Sequence, residues 1–179
     1  MASQMMTTDD DNAPMVSPFK FRPSLEPRHE EELKKRAISK EFALASGVRT
    51  AADNELRALN FQASLPHAER SKGLQGICFP YADLELRAEA AWRVKPDTPF
   101  LMGDGKPAKY LSRLGDKVKA FFPHTTTLEM LKDPKINVIL TEGEFKTLAI
   151  AEAVHQSDQV RRMAVVGLQG VNGGWHRDH

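Results

Sequence analysis

Residues 136–150, INVILTEGEFKTLAI, contain the junction that decides the predicted fold. The run INVIL predicts a buried strand, because strands covered on both faces have continuous apolar sequences. It stops at Glu142 and Gly143, and EFKTLAIAEAVH then has the apolar spacing of a helix, with Glu144 in its first turn. RMAVVGL, residues 162–168, predicts a second buried strand. Strand, helix and strand at this spacing predict a βαβ unit with parallel strands and a right-handed crossover.

Glu142 and Gly143 are the first candidate site. Open α/β sheets bind ligands at the carboxyl ends of their strands, and Gly143 has no side chain to keep a phosphate or a metal away. The alternative is an ordinary strand-to-helix turn, for which glycine is well suited. Both interpretations stay open on these residues alone.

The rest of the chain divides into three parts. Residues 1–27 are rich in Ser, Thr, Asp and Pro and predict a disordered lead. Residues 28–75 predict a small helical part, with one helix from Arg28 to Gly47 and a second that begins at Asp53 as its N-cap. Residues 76–179 contain the remaining predicted elements, which begin with a pair of strands and end with the βαβ unit.

The overall composition excludes several classes of protein. The 179 residues are 41% hydrophobic and 27% charged, with a net charge of +1, as in ordinary soluble domains. The single cysteine, Cys78, excludes an internal disulfide and a cysteine-based zinc site, and it lies in an apolar strand that predicts a core position. No apolar run reaches the ~18 residues that span a bilayer. We expect a cytoplasmic protein with no membrane partner.

A basic segment, KPAKYLSRLGDKVK at 106–119, is the second candidate site. It carries Lys106, Lys109 and Arg113, two further lysines and Tyr110, with Asp116 as the single acidic residue. Basic side chains beside an aromatic ring can follow a single nucleic-acid strand by phosphate contact and base stacking. A solvated loop is the equally weighted alternative.

Other polar and glycine-rich groups favour structural explanations. Gly167, Gly170, Gly173 and Gly174 could cradle a phosphate through backbone N–H groups, but no P-loop or dinucleotide-binding pattern is present, which favours a turn. His176 and His179 are close in sequence and have no further ligands nearby, so they are interpreted as tail residues. In the strand pair, Ala90, Trp92 and Val94 share one face, and Arg93 and Lys95 share the other.

Three segments in order carry a resemblance to a known family. They are ICFPYADLELRAEAAWRV (77–94), KPAKYLSRLG (106–115) and VILTEGEFKTLAI with AVVGLQGV (138–150 and 164–171). Together they resemble the catalytic core of bacterial-type primases, and more closely the toprim-like domain of phage, plasmid and other mobile-element replication proteins, often labelled as a domain of unknown function. The resemblance covers residues 30–179 approximately.

The resemblance implies an incomplete toprim-like, Rossmann-like parallel sheet of the α/β class, preceded by the helical part and the strand pair. It assigns the family's catalytic Glu-Gly to Glu142 and Gly143, where the glutamate acts in phosphoryl transfer as general acid or base or near the metal. It implies nucleic-acid contacts for Arg93, Lys106, Lys109, Tyr110 and Arg113. The Mg²⁺ ligands of the family come from a later Asp-x-Asp motif, so Glu142 would provide part of a metal site.

The sequence also departs from the family pattern. No Asp-x-Asp follows GVNGGWHRDH, and the turn DLELRA lacks the usual glycine. Glu144, Phe145 and Lys146 follow the Glu-Gly pair, where replicative primases commonly carry an aromatic residue, a further residue and Asp. We therefore expect the first half of a primase-type nucleotidyltransferase, inactive by itself, with Mg²⁺ bound only when the acidic half is supplied. Expected partners are single-stranded DNA or nucleotides, with a replicative helicase domain as a further candidate.

Two alternatives remain from the sequence. One is a non-catalytic module for nucleic-acid binding or protein interaction that keeps part of the fold. The other is a remnant without a stable fold, because half of a parallel sheet exposes an edge.

A metal titration tests the expected partial site. Because Mg²⁺ prefers octahedral oxygen ligation with more than one carboxylate, Glu142 alone should bind it weakly. Millimolar Mg²⁺ should raise the thermal midpoint of the chain by less than about 1 °C, since stabilisation by a ligand requires occupancy. A larger, saturable shift that Glu142→Gln removes would contradict this expectation.

Overall fold

A computed structural model describes residues 23–86, 88–102, 105–117, 119–157, 159 and 162–169. Predictions for residues 1–22 and 170–179, including Gly170, Gly173, Gly174, His176 and His179, lie outside these ranges. The α-helices are α1 (Pro27–Lys34), α2 (Lys40–Ala45), α3 (Asp53–Ala58), α4 (Leu128–Lys132) and α5 (Glu144–His155). The strands are β1 (Arg49–Ala51), β2 (Gly76–Asp83), β3 (Ala88–Pro96), β4 (Phe100–Leu101), β5 (Pro107–Ala108), β6 (Leu111–Ser112), β7 (Asn137–Glu142) and β8 (Met163–Leu168).

The architecture is mixed α/β. Four strands form an antiparallel sheet in the order β1-β2-β3-β6, and β7 and β8 form a separate parallel pair joined by α5. Strands β4 and β5 make a small antiparallel ribbon. The predicted strand pair and βαβ unit are thus present. No helix in the described ranges is long and apolar enough to cross a membrane.

Strand β2 is buried on both faces, which explains its unbroken apolar sequence. Ile77, Phe79 and Tyr81 point into a core that also contains residues of α1, α2, α5 and β8. The alternate residue Cys78 points into a second core with Trp92 and residues of α3 and of the 3-10 turn Phe61–Ser64. The predicted alternation in β3 is confirmed for Trp92 and Val94, which are buried in this second core while Arg93 is partly exposed. Ala90, predicted on the face of Trp92, falls at a register shift between β2 and β3 that interrupts the alternation.

A buried ion pair links β1 to β3 across β2. The Arg49 guanidinium donates to both carboxylate oxygens of Glu89 at 3.0 and 2.8 Å, and the Trp92 indole N–H donates to the same carboxylate at 2.8 Å. Bidentate geometry and the third donor compensate for the desolvation of two charges.

The helical part differs from its prediction in two places. The single helix predicted from Arg28 to Gly47 is two helices, because Ala37 adopts a left-handed φ of 58° and Ser39 begins α2 as its N-cap, accepting from the Phe42 N–H at 3.1 Å. The N-cap of α3 is Ala52 instead of Asp53, whose carboxylate accepts from the Leu74 N–H at 2.8 Å. Gly47 ends α2 with a φ of 75°, as predicted.

The predicted lead extends too far toward the helices. Leu25 is buried in the core with Leu33, and the carbonyl oxygen of Ser24 accepts from the Thr50 N–H at 2.8 Å. Residues 24–27 therefore belong to the packed part of the chain. These residues are ordered by the apolar contact of Leu25 and by the backbone hydrogen bond of Ser24. Neither interaction can be predicted from a composition rich in proline.

The predicted burial of β7 is wrong. Its residue Ile139 packs toward α5, but Val138 and Leu140, on the opposite face, are 46% and 64% exposed. Its neighbour β8 is buried, and its outer edge pairs with Phe121 through Gly167. An apolar strand sequence shows that both faces of the strand are suited to burial. It does not show whether other elements pack on both faces.

Gly76 offers a test of the β2–β3 packing. A Cβ there would overlap the Lys95 carbonyl oxygen and lie 2.9 Å from the Pro96 Cα, which are backbone atoms of a paired strand. Gly76→Ala should reduce the free energy of unfolding by about 1–3 kcal/mol, the usual cost of overpacking. The urea midpoint of the purified chain measures it.

Gly73 is the matched control, because a Cβ there meets nothing within 4 Å. Gly73→Ala should leave the urea midpoint unchanged or raise it slightly, since alanine restricts the unfolded chain. Equal effects of the two substitutions would show that the close approach at Gly76 carries no energetic weight.

Candidate functional site

The carboxyl end of β7 presents an exposed carboxylate beside a helix. Glu142 ends the strand and is exposed, and Gly143 follows with a φ of 78° that favours glycine. The Gly143 N–H donates to the Leu168 carbonyl oxygen at 2.9 Å, which fixes the turn against the end of β8. The next residue, Glu144, begins α5. The junction is thus rigid on its strand side and open at Gly143, where a Cβ would meet nothing within 4 Å.

Glu144 is the buried centre of the site. Its side chain is 1% exposed, and one oxygen, Oε1, accepts hydrogen bonds from the Tyr81 hydroxyl and, at 2.9 Å, from the Arg93 guanidinium. The other oxygen, Oε2, is buried and has no hydrogen-bond partner among the described residues. A buried carboxylate is costly unless it is paired, so Arg93 and Tyr81 hold Glu144 in place and are held by it.

Arg93 extends this cluster to the surface. It lies on the face of β3 opposite Trp92, remains 21% exposed, and its guanidinium carbon lies 4.4 Å from the centre of the Tyr110 ring. Tyr110 also contacts the Phe79 ring, at a centroid distance of 6.4 Å. An arginine fixed by a carboxylate on one side and an aromatic ring on another is pre-organised, because little side-chain entropy remains to be lost.

The two tyrosines report this environment through their ionisation. Burial and, next, the negative charge of Glu144 raise the pKa of Tyr110 to about 12. The same two causes raise the pKa of Tyr81 further above its ordinary value. In both cases the phenolate is disfavoured because it would lose hydration and face a carboxylate.

More cations surround the cluster. Glu32 of α1 accepts from Lys95 at 3.1 Å and from Arg36 at 3.3 Å. The Arg36 guanidinium lies 4.3 Å from the centre of the Phe145 ring, at the second residue of α5. Arg36 and Arg93 thus contact the first two residues of α5, and Lys95 shares Glu32 with Arg36, so that Glu32 and Glu144 balance part of the positive charge. This surface, defined by Arg36, Arg93, Lys95 and Tyr110, is called the basic surface below.

The predicted site residues divide between two faces of the antiparallel sheet. Arg93 and Tyr110 meet next to the Glu142–Gly143 junction, although they are distant in sequence. Lys106 and Lys109 are exposed on the segment that leads to β6. Arg113 follows β6 and lies on the opposite face, 5.3 Å from the Trp92 ring centre, with two of its nitrogens bound to Asp116.

The remaining candidates have structural roles or lie outside the described ranges. Gly167, predicted in a glycine-rich turn, lies inside β8, where a Cβ would collide with the Thr147 hydroxyl. Cys78 is buried, as predicted. Among the described residues, no three His, Cys, Asp or Glu side chains are close enough together to hold a metal ion.

Sequence reasoning missed Glu144, Tyr81, Arg36 and Lys95 as site residues. A signal was available for Tyr81, because a hydroxyl in a strand buried on both faces needs a partner. Glu144 was assigned only a favourable position in the first helical turn. Its burial depends on the packing of β2 and β3 against α5, which no local pattern encodes.

Comparisons with known proteins do not identify the chain. It matches no protein-family model, no curated protein and no solved structure.

An alkaline titration tests the cluster, because the chain contains just two tyrosines. Phenolate absorbance should stay near zero at pH 10, the ordinary pKa, and rise only toward pH 12 as Tyr110 ionises. Both pKa values are raised in the folded chain. The stability that follows from keeping the phenols neutral is therefore complete below about pH 10 and is lost as the pH rises toward 12.

The same titration in concentrated urea is the control and should return both tyrosines to their ordinary pKa. Glu144→Gln should lower the apparent pKa of Tyr110 in the folded protein, because it removes the nearby negative charge. Ordinary tyrosine ionisation in the folded chain would contradict the described burial of both rings.

Proposed function

We propose that this chain is the nucleic-acid-binding part of a mobile-element replication protein with a primase-type, toprim-like domain. The basic surface would bind the phosphates of a single strand beside the Glu142–Gly143 junction. The observation that carries the proposal is the Arg93 contact with both Glu144 and Tyr110. It joins the strand pair, the basic segment and the βαβ unit, the three segments of the sequence resemblance, at one place.

The chemistry of this surface suits a single strand better than a small anion. The Arg93 guanidinium lies over the Tyr110 ring and both side chains are partly exposed, and bases stack on guanidinium planes and on aromatic rings regardless of sequence. Arg36 and Lys95 add positive charge to the same surface, and Lys109 is exposed next to Tyr110 in the sequence. Contacts with several phosphates would then provide most of the affinity.

Nucleotidyl transfer is the reaction that the resemblance implies, with Glu142 as general acid or base or as a metal ligand. The described residues fit Mg²⁺ poorly at this edge. Glu142 contributes an exposed carboxylate, whereas Glu144 is buried and bound to Tyr81 and Arg93. Mg²⁺ needs more oxygen ligands than this, so the proposed reaction requires carboxylates beyond the described residues.

A non-catalytic nucleic-acid-binding module is the second candidate. The state of Glu144 favours it, because a carboxylate that neutralises and orients an arginine serves binding and is not free for a metal. The two candidates share the basic surface and differ only in whether Glu142 takes part in chemistry.

Salt dependence of binding tests the shared part of the proposal. The logarithm of the affinity for a fluorescent single-stranded oligonucleotide should fall linearly with the logarithm of the salt concentration. Lys109→Ala should reduce the slope by about 0.7, the value for one single-strand phosphate contact, and adding Lys106→Ala and Lys95→Ala should reduce it further. Fluorescence anisotropy at several salt concentrations measures it.

Lys135→Ala is the matched control. Lys135 is an exposed lysine just before β7, at the opposite end of the strand from Glu142, so its loss removes the same charge without removing a contact. Equal slopes for the Lys109 and Lys135 variants would reduce the proposal to general charge attraction. Absence of binding at low salt would reject it.

A further inference from the structure

A groove lies on the face of the antiparallel sheet opposite Arg93. It is open, has a volume of about 430 Å³, and is lined by Ala58 to Asn60 at the end of α3 and by Arg113 to Asp116 after β6. Gly115 leaves additional room, because a Cβ there would meet nothing within 4 Å. Leu114 is 72% exposed and adds an apolar surface to the lining. The groove is thus large enough for a planar ring, with an apolar and a polar part.

The polar part contains a carboxylate oxygen without a partner. Asp116 is only 10% exposed, and its Oδ1 accepts from both Nε and Nη2 of Arg113, at 3.0 and 2.8 Å. Its Oδ2 is buried and has no hydrogen-bond partner among the residues that the structure describes. Such an acceptor costs free energy in the empty groove, and a ligand N–H would satisfy it.

Arg113 gives the groove a fixed donor beside this acceptor. Its guanidinium is held by Asp116 on one side and by the Trp92 ring at 5.3 Å, and 34% of the side chain remains exposed. A fixed donor next to an unsatisfied acceptor complements a group in which an N–H lies beside a carbonyl oxygen or a ring nitrogen. The edge of an unpaired nucleobase has this arrangement, and Asp is a known acceptor for base amino groups.

We infer that this groove binds one unpaired nucleobase, whose N–H is accepted by Asp116 and whose ring lies against Leu114 and Arg113. The inference rests on the proposed function, because it assigns a base to the strand whose phosphates the basic surface would bind. Tyr110 and Arg113 are three residues apart, about 10 Å along an extended chain, so one strand can pass around the edge strand β6 to reach both faces.

The test compares an oligonucleotide that carries bases with a matched one of abasic sites, by anisotropy across a salt series. The wild-type chain should bind the base-bearing strand at least about tenfold more tightly, because one base is stacked and hydrogen-bonded in the groove and others stack on the basic surface. Asp116→Asn turns the free acceptor into a donor while its other oxygen still accepts from Arg113, and should lower this ratio by about fivefold, leaving the part that stacking on the basic surface contributes. The salt slope should not change, because the phosphate contacts remain.

The measured quantity is the ratio of the affinities for the base-bearing and the abasic oligonucleotide. Asp116→Asn removes a negative charge and so strengthens the binding of both oligonucleotides, and the ratio cancels this shared effect. Glu129→Gln, at an exposed position of α4, removes the same charge elsewhere and should keep the wild-type ratio. Ala58→Leu is a second variant at an exposed helix position. Its side chain should fill part of the groove without adding a ring on which a base could stack, and should lower the ratio as Asp116→Asn does without altering the salt slope.

The outcomes separate this inference from the proposed function. A wild-type ratio near one, or a ratio that Asp116→Asn and Ala58→Leu both leave unchanged, overturns the nucleobase site while salt-dependent binding stands. If neither oligonucleotide binds at low salt, both proposals fail. A lower ratio in both variants with an unchanged slope supports the groove as the base site.

Discussion

A buried carboxylate sets the geometry of this protein at the point where the antiparallel sheet meets the parallel strand pair. Glu144 begins α5 and lies in the core, where an unpaired charge is unfavourable by several kcal/mol. Tyr81 from β2 and Arg93 from β3 donate to the same oxygen of that carboxylate. Apolar packing alone would tolerate small shifts of α5 along the sheet. The directional bonds to Glu144 do not, so the end of β7 has a defined place relative to β3.

This requirement also orients the surface above it. The Arg93 guanidinium that donates to Glu144 also lies over the Tyr110 ring, so one side chain connects the buried carboxylate with the basic segment. Trp92 lies on the opposite face of β3 and contacts both Glu89 and Arg113. Two consecutive residues of β3, Trp92 and Arg93, thus make contacts on opposite faces of the sheet. A ligand that follows the edge strand β6 would meet a prepared arginine on each face.

The sequence predicted the local elements better than the contacts between them. Alternation in β3 and the apolar runs of β2, β7 and β8 identified these strands, because side-chain periodicity follows from backbone geometry. The break at Ala37 was missed because alanine is a strong helix former, and tertiary packing of Leu33 and Ile38 overrides its preference. The exposure of Leu140 and the burial of Glu144 were missed for a shared reason. Both depend on which layers lie above them, and this information is spread across distant segments.

The candidate site could be assembled from the sequence only in part, for the same reason. Glu142 and Gly143 stand out locally and the basic segment stands out by composition, so both were predicted as candidates. That Arg93 would bind a neighbour of Glu142 required the register of β2 with β3 and the packing of β2 against α5. The functional roles of these residues are still proposals, and the contacts supply the physical reasons for testing them.

The burial of Cys78 has a practical consequence for studies of folding. It is the single cysteine of the chain, it lies in the second core on the central strand, and burial raises the pKa of its thiol to about 12. Alkylating reagents attack the thiolate, so the closed protein should be inert to them. Each labelling event must then follow an opening of β2 itself. The native chain therefore contains its own kinetic probe for an opening of its sheet at β2, without any engineered label.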